Sequence, residues 1–201
     1  MKYLLSVFTL LMSFAAISQP KTISAGTTAP GFSLPDVTGK NVSFETFPNA
    51  KGYILVFTCN TCPVAQAYEQ RVIALNKKYA SMGYPVIAIN PNDPELAGGD
   101  SFQAMKERAK DRNYQFPYLF DKGQQTTNAY GARVTPHIFL VAKQNNTNTV
   151  VYTGAIDNDP ENSNSTKANY LDDAIKAVEE GKTPAIASTK ALGCSVKRKK
   201  T

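Results

Sequence analysis

Two patterns of hydrophobic residues alternate along the chain: short continuous apolar runs, and longer segments in which apolar residues recur at helical spacing. The continuous runs predict buried strands, at residues 53–58, 85–90, 116–120 and 136–141, with 150–152 pairing back on the last as a hairpin. The helical spacing predicts helices, over about residues 63–82, 101–112, 125–130 and 168–180. Strands separated by helices, followed by a hairpin, predict an α/β domain with a central mixed β-sheet flanked by helices on both faces.

The first residues form a different kind of segment. Met1-Lys2 supplies one positive charge, residues 3–16 are almost entirely apolar, and Ala16 and Ser18 place small residues before Gln19. This pattern is typical of a secretory signal peptide over residues 1–18, and the run is shorter than the roughly 20 residues that span a bilayer. We therefore expect secretion across the inner membrane to the periplasm, where disulfides persist, with no stable membrane insertion after the signal is removed.

Composition and charge then set the domain plan. A chain of 201 residues with 42% hydrophobic content fits one domain, expected at 29–182 after a linker at 19–28 and before a C-terminal extension at 183–201. The net charge of +6 arises largely from Lys190 and the basic residues at 197–200 of that extension. Because the excess charge is a tail and not a basic face, nucleic acid is not expected as a partner.

The strongest chemical signal is the sequence Cys59-Asn60-Thr61-Cys62-Pro63, between a predicted buried strand and a predicted helix. A cysteine at the start of a helix lies near unsatisfied N–H groups, which stabilise its thiolate. A second cysteine three residues later closes a small disulfide and releases a mixed-disulfide intermediate. We assign Cys59 as the catalytic nucleophile and Cys62, expected to be more buried, as the catalytic resolving thiol.

Two other interpretations of the cysteine pair stay open. The pair also fits an inert structural disulfide. Alternatively, Cys59, Cys62 and His137 fit a copper- or zinc-handling module, with Cys194 as the fourth donor that zinc requires. No glycine-rich phosphate loop is present, so no cofactor is expected, and no metal is assigned in the preferred interpretation.

A second signal lies at Val134-Thr135-Pro136, where a proline begins an otherwise buried strand. We expect a cis Thr135–Pro136 bond that leaves backbone groups open to pairing by a partner chain. Thr135 and Pro136 are therefore the candidate substrate-binding residues, and a disulfide- or dithiol-bearing protein is the expected partner.

These motifs carry a family resemblance. They are Ala29-Pro30-Gly31-Phe32-Ser33-Leu34-Pro35-Asp36, Cys59-Asn60-Thr61-Cys62-Pro63, Phe120-Asp121, Tyr130-Gly131-Ala132 and Thr135-Pro136. The chain resembles the thioredoxin superfamily in its redoxin or peroxiredoxin-like branch, of the alkyl-hydroperoxide-reductase/thiol-specific-antioxidant type, and is similar to exported TlpA-like oxidoreductases. The resemblance implies a thioredoxin-like fold, a Cys59–Cys62 redox pair and a cis-proline at Pro136 lying against it.

The chain also departs from that family pattern. Peroxidases of the superfamily carry Pro and Thr just upstream of the attacking cysteine, whereas this chain has Leu55 and Cys59 before Cys62, and Gly52 and Val56 before Cys59. The preferred function is therefore an exported thiol–disulfide oxidoreductase, with a peroxiredoxin-like peroxidase as an alternative.

Four further residues are possible auxiliary groups. Thr58 replaces the tryptophan common in thioredoxins, and Arg133 and His137 are cationic candidates for lowering the pKa of the Cys59 thiol. Cys194 is the odd cysteine, and a buried inert thiol, a third redox thiol and a metal ligand all remain possible for it.

Overall fold

The computed structural model describes residues 20–144, 146–163 and 167–199. Its strands are β1 (Leu34–Pro35), β2 (Asn41–Val42), β3 (Gly52–Phe57), β4 (Val86–Asn90), β5 (Tyr118–Phe120), β6 (Val134–Thr135), β7 (His137–Gln144), β8 (Thr147–Gly154) and β9 (Cys194–Ser195). Its α-helices are α1 (Pro63–Tyr79), α2 (Phe102–Asp111), α3 (Gln125–Tyr130) and α4 (Tyr170–Glu179). The predicted signal peptide lies outside the described residues.

The central sheet has five strands in the order β5-β4-β3-β7-β8. β3, β4 and β5 run parallel, and β7 and β8 join them antiparallel, so the sheet is mixed. β3 is its middle strand, and every residue of it is buried, which is why its sequence is continuously apolar instead of alternating.

Successive residues of β3 contribute to two separate cores. Ile54 and Val56 lie in one core with residues of α1, α2 and α4, whereas Leu55 and Phe57 lie in the other with Tyr130 of α3. Helices therefore cover both faces of a central mixed sheet, which confirms the predicted α/β architecture.

Segments on both sides of the predicted domain contact the sheet. On the N-terminal side, the amide of Gly26 donates to the Val150 carbonyl at 2.8 Å, within the segment expected to be a linker. On the C-terminal side, the Thr153 amide donates to the Ala187 carbonyl at 3.1 Å. Both segments thus extend the hydrogen bonding of β8, and the domain boundaries of the sequence analysis stay predictions. No helix among the described residues is long and apolar enough to cross a bilayer.

The candidate site lies where β3 ends and α1 begins. Cys62 is the N-cap of α1, its sulfur accepts a hydrogen bond from the Ala65 amide at 3.4 Å, and Pro63 occupies the first helical turn, where its missing N–H leaves no partner unsatisfied. β6 ends directly before β7 and pairs antiparallel with β9, which brings the C-terminal extension to the same place.

Candidate active site

The three cysteines meet at this junction. A disulfide joins Cys62 to Cys194, whose Cα atoms are 5.8 Å apart although 132 residues separate them in sequence, and Cys59 carries a free thiol. The expected Cys59–Cys62 bridge is thus not the disulfide in the structure. The reason is the register of β6 against β9, which sets Cys194 opposite Thr135. The catalytic assignment of Cys59 and Cys62 stays a prediction.

Thr135 lies between the two cysteines of the motif. Its Oγ1 is 3.1 Å from the Cys59 Sγ, and its carbonyl oxygen is 3.1 Å from the Cys62 Sγ. The side chain is fully buried, and the Thr135–Pro136 bond is cis, as predicted. The structure therefore brings together all four residues predicted for catalysis and substrate binding.

A buried carboxyl group fixes the turn between the cysteines. Asp100 accepts hydrogen bonds at 2.6 Å from both the Asn60 amide and the Thr61 hydroxyl, and also from the side-chain amides of Asn90 at 3.3 Å and Asn92 at 2.8 Å. Asp100 is fully buried, so these donors replace the water that a carboxyl group otherwise binds. The position of the turn is therefore set by α2's preceding loop, not by the helix that follows the turn.

Asn60 completes this arrangement with its remaining polar atoms. Its side-chain amide donates to the Gly99 carbonyl at 2.8 Å and its Oδ1 accepts from the Tyr118 hydroxyl at 2.9 Å, while its backbone carbonyl accepts from Gln66 at 2.6 Å. A turn with this many partners has little freedom to move.

Cys59 differs from the expected stabilised thiolate. Its side chain is 6% exposed, against 2% for Cys62, and burial raises the pKa of its thiol above the usual value, with the negative charge of Asp100 adding to the rise. Hydrogen bonds from Thr135 and from the backbone N–H groups of Thr61 and Cys62 lower the pKa, but burial is the larger effect. In this closed arrangement the thiol is favoured over the thiolate.

The other predicted auxiliary residues have structural partners. The His137 Nε2 lies 3.0 Å from the Thr153 Oγ1, its ring packs on Phe139, and burial, with the nearby charge of Arg133, lowers its pKa to about 4. Arg133 is exposed, and its Nε donates to the Pro20 carbonyl at 3.1 Å. Neither side chain is among the groups that shift the pKa of Cys59.

Thr58 lines a small cavity together with Cys59, Glu69 and Tyr114. Glu69 is the carboxylate on this side of the thiol, and it is held by Arg108 at 2.7 Å and by the Tyr114 hydroxyl at 2.5 Å. The sequence analysis assigned no acid near Cys59 because no sequence signal relates α1's interior to the cavity behind the thiol.

The metal-handling alternative requires several donors in one place. Among the described residues, no group of three or more His, Cys, Asp or Glu side chains is arranged to hold a metal ion. Cys62 is bonded to Cys194 instead, and His137 faces Thr153.

Asp100 is the main residue that the sequence analysis missed. It lies in a Gly98-Gly99-Asp100 segment that reads as an ordinary loop before Ser101, the N-cap of α2. Nothing in that local pattern indicates a carboxyl group aimed 40 residues back at Asn60.

Comparison with known proteins decides the family. The model of the AhpC/TSA family matches residues 25–151, which include β1 to β7 and most of the central sheet. The chain belongs to the AhpC/TSA family. With the observed topology, this membership confirms the thioredoxin-like fold implied by the sequence motifs.

Individual relatives of this AhpC/TSA protein agree. It is 31% identical over 118 residues to the thiol-disulfide oxidoreductase ResA of Halalkalibacterium halodurans, covering 58% of this chain and 62% of that protein. The match thus spans under two thirds of that relative's length.

Two solved structures are similar over more of the chain. An uncharacterized conserved protein from Geobacillus kaustophilus has a TM-score of 0.81 and 31% identity, over 88% of this chain and 93% of that one. A hypothetical protein from Sinorhizobium meliloti 1021 has a TM-score of 0.82 and 30% identity, over 91% and 99%.

Proposed function

We propose that this protein is an exported thiol–disulfide oxidoreductase that exchanges disulfides with cysteine-bearing protein partners. The observation that carries the proposal is the convergence of the Cys59 thiol and the Cys62 sulfur on Thr135, each at 3.1 Å, at the start of α1. The similarity to proteins named thiol-disulfide oxidoreductase ResA supports it.

The reaction is a pair of exchanges in which electrons balance. In the reduced protein, the Cys59 thiolate attacks a partner disulfide, forms a Cys59–partner bond and releases one partner thiolate. The Cys62 thiolate then attacks the Cys59 sulfur, which forms a Cys59–Cys62 disulfide and releases the second partner thiolate. The partner gains two electrons and the protein loses two, and the reverse sequence oxidises a partner dithiol.

The backbone at Thr135 and Pro136 holds the partner in this proposal. An extended peptide adds to a strand edge through main-chain hydrogen bonds, and the edge of β6 lies beside both sulfurs of the motif. A pairing made by backbone alone accepts many sequences, which suits an enzyme whose substrate is a disulfide and not a particular side chain.

Export to the periplasm is part of the same proposal. It rests on the signal-peptide pattern of residues 1–18 and agrees with a protein disulfide, which persists in oxidising compartments.

The peroxidase alternative gains no support from the site. The positions that correspond to the upstream Pro and Thr of peroxidases hold Leu55 and Val56 among others, and both side chains are fully buried in β3.

The test is exchange with a synthetic peptide that contains one disulfide. We expect the reduced protein to reduce one peptide disulfide per chain, Cys62→Ala to accumulate a mixed disulfide at Cys59, and Cys59→Ala to reduce the peptide at least a hundredfold more slowly. Mass spectrometry after alkylation identifies each bond. Exchange by Cys59→Ala at the rate of the unsubstituted protein would refute the proposal.

A further inference from the structure

We propose that Cys194 is a third redox-active cysteine, and that residues 193–196 occupy the partner-peptide position as an internal substitute for the partner. The inference rests on the proposed function, because it assigns the same β6 edge and the same sulfurs to an intramolecular partner. It also goes beyond that function, since the C-terminal extension then decides when the edge is open.

The first observation is the pairing itself. β9 lies antiparallel on β6 with Cys194 opposite Thr135 and Ser195 opposite Val134, and the Val196 amide continues the pairing by donating to the Arg133 carbonyl at 2.9 Å. This is the arrangement in which an extended peptide adds to a strand edge. The C-terminal extension therefore uses the backbone groups that a partner needs.

The second observation is the position of the sulfur. Cys194 is joined to Cys62 and packs against the buried cluster that contains Cys59. A disulfide between the motif and a cysteine on the paired strand has the covalent form of a mixed disulfide, with the partner supplied by the same chain.

The third observation is the close fit at Gly193. A Cβ built on this residue would overlap the Thr135 carbonyl group and lie 3.0 Å from the Pro136 nitrogen. The absence of a side chain at position 193 is therefore what lets β9 approach the Thr135–Pro136 backbone.

These contacts predict an exchange inside the protein. The Cys59 thiolate attacks the Cys62 sulfur, a Cys59–Cys62 disulfide forms, and Cys194 leaves as a thiolate that takes up a proton. No outside oxidant or reductant is needed, because one disulfide and one thiol are present before and after. The backbone N–H groups of Thr61 and Cys62 hydrogen-bond the Cys59 sulfur, which places the attacking atom on the turn that carries its target.

The exchange has a consequence for partners. With Cys62 bonded to Cys194, β9 is held covalently on β6 and a partner peptide is excluded. With Cys59 bonded to Cys62, β9 is held only by non-covalent contacts, and a partner competes for the edge. The closed arrangement thus protects the oxidised protein from exchange until Cys59 attacks.

The experiment compares Gly193→Ala with Gly31→Ala. Gly31 has nothing within 4 Å of its built Cβ, so it controls for adding a methyl group elsewhere. Each full-length protein is reduced, reoxidised with one equivalent of glutathione disulfide, quenched with acid and alkylated, and mass spectrometry measures the ratio of the two disulfides.

We expect the Cys62–Cys194 form to predominate in the unsubstituted protein and in Gly31→Ala. In Gly193→Ala the ratio of Cys59–Cys62 to Cys62–Cys194 should rise at least fivefold, because overpacking opposes the closed form. Unchanged far-UV circular dichroism establishes that the variant is folded. An unaltered ratio in folded Gly193→Ala would overturn the proposal.

Cys194→Ser gives a second and independent measurement. We expect its Cys59–Cys62 form to react with a disulfide- or dithiol-bearing peptide at least threefold faster than the oxidised unsubstituted protein, because β9 is no longer bonded to the site. Equal rates would overturn the role of Cys194 while leaving the proposed function intact. Loss of peptide exchange in every variant, with the internal exchange still detected, would instead refute the proposed function alone.

Discussion

The turn from Cys59 to Cys62 contacts two segments of very different construction. The loop with Asp100 holds it through four hydrogen bonds to one fully buried carboxyl group. The C-terminal extension holds it through the two-residue strand β9 and one disulfide, and Cys194 itself is only partly buried. One segment is fixed by desolvated side chains, and the other by backbone pairing and a reducible bond.

This difference teaches which contact is able to change during function. Removing a buried acceptor leaves several donors without partners, whereas a short surface strand leaves its partner edge open to water or to another peptide. Asn92 connects the two segments, since its amide donates to Asp100 and its Oδ1 accepts from the Lys197 amide at 2.9 Å. The fixed segment therefore also positions the exchangeable one.

The largest expected effect comes from removing the fixed contact. Asp100→Ala leaves the Asn60 amide and the Thr61 hydroxyl without their acceptor, and we expect the free energy of unfolding to fall by about 3–5 kcal/mol. Urea unfolding measures it. Asp111→Ala, at an exposed position of α2, is the matched control and should change stability by less than about 0.5 kcal/mol. A loss as small as the control's would show that the turn does not depend on Asp100.

The next effect is a dependence of stability on pH at the start of β7. The pKa of His137 is about 4 in the folded protein and about 6.5 in an unfolded chain, so the unfolded state binds the proton more readily. Stability therefore falls as pH drops from 6.5 towards 4, by about 3 kcal/mol at pH 4. His137→Gln should lack this component when urea unfolding is compared at pH 7 and pH 4. Equal losses in both proteins would contradict the assignment.

A smaller effect is expected when the exchangeable segment is loosened at its far end. The Arg198 Nη2 donates to the Ala132 carbonyl at 2.8 Å and its Nη1 contacts Asn128. We expect Arg198→Ala to speed reduction of the Cys62–Cys194 disulfide by dithiothreitol about three- to tenfold, from the loss of roughly one hydrogen bond's free energy.

Lys199→Ala is the control for that measurement. Lys199 is exposed and pairs with exposed Glu95 at 2.6 Å, and pairs of this kind contribute little, so the rate should change less than about twofold. If both variants reduce at the same rate, Arg198 does not hold the segment.

The smallest effect is a shift in the pH profile of one thiol. Thr135→Val removes the hydroxyl group that lowers the pKa of Cys59, so alkylation of Cys59 should require higher pH than in the unsubstituted protein. Thr135→Ser keeps the hydroxyl and should retain the original profile. A profile that moves to lower pH in Thr135→Val would contradict the hydrogen bond.

The sequence predicts the parts of this protein that depend on local pattern. The continuous run at 53–58 predicts β3 to within one residue at each end, and Pro63 marks the first residue of α1. Thr135-Pro136 likewise carries its conformation in its own two residues. These features follow from hydrophobic runs and from the backbone limits of proline, which act over a few residues.

Features that depend on distant pairing could not be predicted in the same way. The two-residue strands β6 and β9 are too short for any hydrophobic period to mark them, so nothing indicates that Cys194 lies opposite Thr135. The direction of the Cys59 pKa depends on burial by the whole fold, which opposes the local effect of the helix start.

The contact between Pro20 and Arg133 places the beginning of the described chain two residues from Thr135. A fluorophore coupled just ahead of residue 20 would accordingly report on this corner of the molecule. Paired with a second dye near residue 199, it offers a spectroscopic ruler for following the departure of the C-terminal segment in real time, without any label on a cysteine.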